Sequence, residues 1–166
     1  GTALVTGATS GIGEEFCWQL AAAGHDLVLV ARHEEALSAL ASALANVAGV
    51  RAQTIAADLS TAEGCHRVAS RLDVGGPADV KKVDLAPVDL LVNNAGFGLG
   101  TDFLDNTLEA ELAGVDVMVR AVMILAHHAG ISMRSRGRGA ILNVGSVASR
   151  TGAGTYSAHK AWVVAF

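Results

Sequence analysis

The sequence predicts an α/β chain in which a parallel β-sheet is covered by helices on both faces. Three observations carry this. Short apolar runs alternate with segments of helical periodicity along the chain. The apolar runs lack the strict in–out alternation of a half-exposed sheet, so both sheet faces must be covered. A glycine-rich loop joins the first apolar run to the first helical pattern, where close backbone approaches are needed.

Taken in order, Ala3 to Thr6 is the first strand, and Gly13 to Ala23 the first helix. Phe16, Leu20 and Ala23 recur there at helical spacing, and Gly24 stops the helix. Asp26 to Ala31 is a second buried strand, and Glu34 to Val47 an Ala/Leu helix that ends near Gly49. Arg51 to Ala57 is the third strand. Thr61 to Leu72 is a helix with Ser60 or Thr61 as N-cap. Asp73 to Pro87 holds Gly75, Gly76 and both prolines, and reads as a surface loop. Val88 to Val92 is the fourth strand. Thr107 to Met133 is a long helix expected to bend near Gly114. Ala140 to Val144 is the fifth strand, and Tyr156 to Phe166 the last helix. Right-handed crossovers turn this succession into a doubly wound, Rossmann-type sheet with strand order 3-2-1-4-5. Ligands then bind at the carboxyl ends of strands 1 and 4, where the winding reverses.

Composition narrows the function. The 166 residues suit one domain. Hydrophobic residues at 51% and charged residues at 17% exclude a disordered chain. Aromatics are only 4%, so the core is built from Ala, Val, Leu and Ile. A net charge of −4 offers no basic stripe for nucleic acid. No apolar stretch approaches the ~18 residues of a membrane span. Cys17 and Cys65 have no metal-ligand spacing and read as two buried thiols in a reducing cytoplasm. The expectation is a cytoplasmic protein with no metal, nucleic-acid or membrane partner.

The loop Thr6-Gly7-Ala8-Thr9-Ser10-Gly11-Ile12-Gly13 occupies the first strand-to-helix turn. A helix N-terminus presents unpaired amide donors and the positive end of its dipole, which suits a phosphate. Glycines let the backbone approach a pyrophosphate and let the helix pack near the strand. No Lys-Ser/Thr pair follows the last glycine, so a P-loop NTPase is excluded. The alternative is a generic glycine turn, but the placement is the one that nucleotide binding requires.

Four motifs in order make the chain resemble the short-chain dehydrogenase/reductase family. They are Thr6-Gly7-x-x-x-Gly11-x-Gly13, Asp58-Leu59 after strand 3, Asn93-Asn94-Ala95-Gly96 after strand 4, and Tyr156-x-x-x-Lys160. The resemblance covers nearly the whole chain and implies one NAD(P)-binding Rossmann domain over residues 1–166, expected to be incomplete at its C-terminal end. It implies cofactor contacts from Gly7, Thr9, Ser10, Gly11, Ile12 and Gly13. Asp58 is expected at the adenine amino group, with Leu59 lining the adenine pocket. Asn94, Ala95 and Gly96 are expected near the cofactor ribose. A homodimer or homotetramer is expected.

Cofactor choice is read at the end of strand 2. An acidic group there binds a ribose 2′-hydroxyl, whereas an arginine suits a 2′-phosphate. The sequence is Ala31-Arg32-His33, with no carboxylate at the strand end. Arg32 offers a planar fork of donors, so NADP(H) is preferred and NAD(H) remains possible. Otherwise Arg32 only borders a solvated edge.

Tyr156 and Lys160 lie one helical turn apart on one face. A neighbouring ammonium favours a phenolate over a phenol. The resemblance implies Tyr156 as proton donor to a carbonyl oxygen, with Lys160 supporting it and holding the nicotinamide ribose. It implies Ser146 as the residue that polarises the carbonyl, with Ser149 as the fallback. The expected reaction is NADP(H)-dependent interconversion of a ketone or aldehyde with an alcohol.

Two departures stand out. Ten residues separate Ser146 from Tyr156, fewer than the resemblance implies, and Gly152 and Gly154 allow a tight closure. The position where the family carries a relay asparagine is Met118, which has no polar side chain for a water relay. These departures support a second reading, a nucleotide-binding sensor or scaffold with an impaired site. His127 and His128 read as helix-surface residues, and His159 as off the Tyr156 face.

Overall fold

The computed structural model describes residues 1–73 and 85–166. Five parallel strands, β1 (Thr2–Thr6), β2 (Asp26–Ala31), β3 (Ala52–Ala56), β4 (Val88–Asn93) and β5 (Ala140–Asn143), form one sheet in the order β3-β2-β1-β4-β5. This is the predicted order, and β1 pairs with both β2 and β4 at the point where the winding reverses.

The unbroken apolar strands follow from two separate cores. Leu4, Val28, Val30 and Leu91 point to one face. There they meet Val68 and Leu72 of α3 (Ala62–Leu72) and Leu125, Ala129 and Met133 of α5 (Ala121–Arg136). Ala3, Val5, Leu27, Leu29 and Val92 point to the other face. They meet Cys17 and Ala21 of α1 (Gly11–Ala22) and Leu37, Leu40 and Leu44 of α2 (Glu34–Ala48). Alternate residues of β1 thus enter opposite cores, and every residue of that strand is buried. Burial of each such leucine contributes about 1.5–3 kcal/mol. Both cysteines are buried and free, as expected.

Local signals place most helix ends. Thr61 caps α3, its Oγ1 accepting from the Gly64 amide at 3.0 Å. Gly49 ends α2 in the left-handed region at φ 68°. Thr107 caps α4 (Leu108–Val115) through the Ala110 amide.

Three expectations change. The long helix has its irregularity just after Gly114. It runs from α4 into α5 through one π turn, Asp116–Arg120, closed by the Ala121 amide on the Asp116 carbonyl. Gly114 is buried instead, and its missing side chain makes room for His159. The last helix, α6 (Gly154–Ala165), starts before Tyr156. Short 3₁₀ turns at Phe103–Asp105 and Val147–Arg150 were not foreseen, since runs of this length have no periodicity to read. Most of the predicted 73–87 loop lies outside the described residues.

Candidate active site

A cleft of about 440 Å³ opens at the carboxyl ends of β1, β4 and β5. Gly7, Ser10, Gly11 and Ile12 form one wall; Asn94, Ala95 and Gly96 form the floor. Val144, Gly145, Ser146, Tyr156 and Lys160 form the opposite wall. The first, third and fourth motifs therefore meet in one place, at the switch point.

The glycines are fixed by contact. A Cβ on Gly13 would lie 2.0 Å from the Gly7 carbonyl oxygen, and Gly7 itself sits at φ 66°. Gly11, at φ 52°, has open space where its side chain would be. Ser10 precedes α1 without a side-chain capping bond. Ordinary helix geometry then leaves the first-turn amides and the Ser10 hydroxyl for a ligand. Asn94 ties the floor to this loop, donating from Nδ2 to the Thr6 and Gly7 carbonyls at 3.0 and 3.3 Å. Thr6 Oγ1 accepts from the amides of Asn94 and Ala95, both at 3.0 Å. The two strand ends are locked before any ligand arrives.

The residues expected at the adenosine end lie beyond the cleft lining. Arg32 is exposed immediately after β2. Asp58 is exposed after β3, with its Oδ1 accepting from the Ser60 amide at 2.9 Å and hydroxyl at 2.7 Å. These bonds, with the charge of Arg32, hold its carboxyl below the usual carboxylate range. Arg32 and Asp58 thus act on each other across neighbouring strand ends. Leu59 is 6% exposed and packs in the core with Cys65 and Val68. Thr9 and Gly13 do not line the cleft, and Gly13 is buried in the first turn of α1.

Lys160 is buried; its Nζ donates to the Val144 carbonyl at 2.7 Å and lies 5.9 Å from the Tyr156 ring centre. Burial pushes its pKa down. Val144 was not foreseen, because a carbonyl acceptor leaves no trace in side-chain identity. Ser146 Oγ accepts from the Ala148 amide at 3.1 Å, which leaves its O–H to donate into the cleft. Ser149 does not line the cleft; its amide closes the turn on the Ser146 carbonyl. The short loop to Tyr156 closes tightly through that turn, the Thr151 bonds to the Ala148 carbonyl, and Gly154 at φ 72°.

Met118 lies in the π turn, 2% exposed. Its Cγ and Sδ pack behind Gly96, each 3.2 Å from where a Cβ would stand, and Lys160 Nζ lies 3.6 Å from the same point. An apolar thioether thus occupies the space behind the lysine. His128 pairs with Asp73 at 2.7 Å on the surface, and His127 is exposed, as expected for both. His159 is buried and faces Gly114 of α4, away from the cleft.

A glycine-cradled helix start, a strand-4 floor and a Tyr–Lys pair thus meet at the switch point of a doubly wound sheet. The family model of the short chain dehydrogenases matches residues 1–166, and the chain belongs to that family. It is 37% identical to a very-long-chain 3-oxoacyl-CoA reductase of Laccaria bicolor, over 99% of this chain and 47% of that protein. It is 35% identical to L-xylulose reductase of Mesocricetus auratus, over 95% of this chain and 57% of that protein. A short-chain dehydrogenase from Sphingobium yanoikuyae, solved with NADPH, superposes with a TM-score of 0.88 at 35% identity. That match covers 98% of this chain and 61% of the other. L-Sorbose reductase from Gluconobacter frateurii, solved with NADPH and L-sorbose, gives 0.86 at 30% identity, over 99% and 60% of the two chains. The chain therefore spans about half to three-fifths of the length of these relatives.

Proposed function

We propose that the chain carries the cofactor and proton-transfer half of an oxidoreductase that interconverts a ketone or aldehyde with an alcohol, using NADP(H). The observation that carries this is the convergence of Ser146, Tyr156 and Lys160 on one wall of a cleft whose other wall is the glycine loop. NADPH in the solved relatives supports the cofactor class.

The residues fit a dinucleotide. The glycine cradle that a Cβ would fill and the uncapped start of α1 suit the pyrophosphate. Arg32 suits a 2′-phosphate, and Asp58 borders the adenine side. Lys160, with its ammonium buried beside the floor, holds the nicotinamide-side ribose. The bound nicotinamide supplies or accepts the hydride.

The chain's own groups do the rest. Ser146 donates its free O–H to the carbonyl oxygen and stabilises the charge that develops there. Tyr156 delivers the proton to that oxygen and takes it back in the reverse direction. Lys160 keeps a positive charge beside Tyr156, its Nζ 5.9 Å from the ring centre. Exposed Leu108, Leu112 and Met123 along α4 and α5 support a homo-oligomer.

Met118 favours the second reading, an impaired nucleotide-binding sensor, because it puts a thioether where a polar relay would run. Steady-state oxidation of NADPH and NADH against a panel of ketones and aldehydes decides between them. Carbonyl-dependent oxidation is expected, faster with NADPH. NADPH binding with no turnover on any carbonyl would favour the sensor.

A further inference from the structure

We infer that Glu111 is a positioning residue for Tyr156, a role that rests on the oxidoreductase reading. Glu111 lies in α4, outside the cleft lining, and is 6% exposed. A carboxylate this deep is costly unless it is hydrogen-bonded. It has two donors, from two different elements. Oε1 accepts from Asn106 Nδ2 at 2.8 Å, and Oε2 from Thr155 Oγ1 at 2.5 Å. Charge-assisted bonds of this kind are short and about twice as strong as neutral ones.

Neither donor lines the cleft, but each lies in a segment that runs to it. Asn106 ends the loop that leaves β4 after Gly96, and Thr101 Oγ1 in turn donates to its Oδ1. The same loop passes Tyr156: a Cβ on Gly98 would lie 3.8 Å from its ring. Thr155 immediately precedes Tyr156. One carboxylate thus fastens the loop beside the phenol and the helix turn that carries it to the same point on α4.

The register of α6 explains why this works. Tyr156 and Lys160 form one i,i+4 pair, facing the cleft. Thr155 and His159 form a second pair, rotated by one residue. Thr155 bonds Glu111, and His159 packs on Gly114, both in α4. Holding the second pair against α4 sets the rotation of α6, and so the direction of Tyr156 relative to Lys160.

Tyr156 is the only tyrosine of the 166 residues, so its phenol can be titrated by ultraviolet difference absorbance without interference from another tyrosine. The test uses the full chain carrying Thr155→Val, which keeps the shape and removes the donor, with Thr155→Ser as the rescue. Folding is checked by circular dichroism, and Thr155→Ala gives the same reading should valine not be accommodated. Thr155→Val is expected to raise the phenol midpoint by about half a unit, a threefold change in proton affinity. It is expected to lower kcat about tenfold while NADPH affinity stays within about twofold. Thr155→Ser is expected to return the midpoint to the parental value. Glu111→Gln combined with Thr155→Val is expected to cost less in kcat than the two single losses together, because both remove one interaction. An unchanged phenol midpoint in folded Thr155→Val would overturn the assignment. Absence of carbonyl-dependent turnover in the parent would instead overturn the oxidoreductase reading, and the phenol titration would still decide the part played by Glu111.

Discussion

Arg32 is a single exposed side chain at a strand end, and its value depends on one phosphate. A charge-assisted pair of this type contributes about 1.5–3 kcal/mol. NADPH is therefore expected to bind about ten- to a hundredfold more tightly than NADH. The preference shrinks with salt, because the rim of the site is screened. Arg32→Ala is expected to weaken NADPH and leave NADH nearly unchanged, as read by calorimetric titration of each. Equal weakening of both would make Arg32 a structural edge residue. Asp58 faces this arginine and is held ionised by Ser60, so the two charges at the adenosine end offset each other before a ligand binds.

Among the elements, the junction of β1 with α1 leaves little room for change. The Gly13 position has no room for a methyl group, because the obstructing atom is the backbone carbonyl of Gly7. Relief requires α1 to move away from β1, which also displaces the amides meant for the pyrophosphate. Gly13→Ala is expected to cost about 1–3 kcal/mol in denaturant unfolding, and to weaken NADPH by more than its effect on stability alone. A variant of parental stability and parental NADPH affinity would show that the helix start is not the anion site. The π turn at Asp116–Arg120 is the matching feature on the other core. It reorients Met118 toward Gly96 and Lys160, the kind of placement for which π turns recur at functional sites.

For the whole molecule, acid stability reports the contact between α4 and α6. Burial holds the His159 pKa below its ordinary 6.5, an effect partly opposed by the charge of Glu111. The unfolded chain thus binds this proton more readily than the folded one between the folded value and 6.5. Stability is expected to be full above that window and to fall as pH drops through it. The charged group that bears on it is Glu111 of α4. Melting temperatures between pH 7.5 and pH 5.5 are expected to fall less steeply for His159→Gln than for the parent. Parallel slopes would place the acid sensitivity elsewhere.

At the same scale, the sequence made the sheet legible because most strands carry runs of apolar residues and helix boundaries carry their own signals, such as Thr61 at the start of α3 and Gly49 at the end of α2. Strand order followed from the doubly wound, Rossmann-type layout that the alternating strands and helices and right-handed crossovers imply. The motif residues of the cleft were legible because the chemistry there demands glycine, tyrosine and lysine as residue types at fixed spacing. What escaped was carried by atoms that residue identity does not distinguish. The Val144 carbonyl, the π turn and the bond from Thr155 to Glu111 depend on which faces of helices meet in three dimensions. Gly114 read as the place of a bend because a glycine in a helix signals either a bend or close packing, and the packing on His159 is visible only in three dimensions.

The central claim is that Tyr156 performs proton transfer in a cleft already assembled for the dinucleotide, and Tyr156→Phe tests it most directly. The comparison is of NADPH affinity and carbonyl-dependent turnover in the same preparation, beside the parent. NADPH affinity is expected within about twofold of the parent, and turnover lower by about 10²–10⁴, the loss expected for a positioned proton donor. Turnover close to the parent's, with NADPH still bound, would remove Tyr156 from the chemistry and contradict the account.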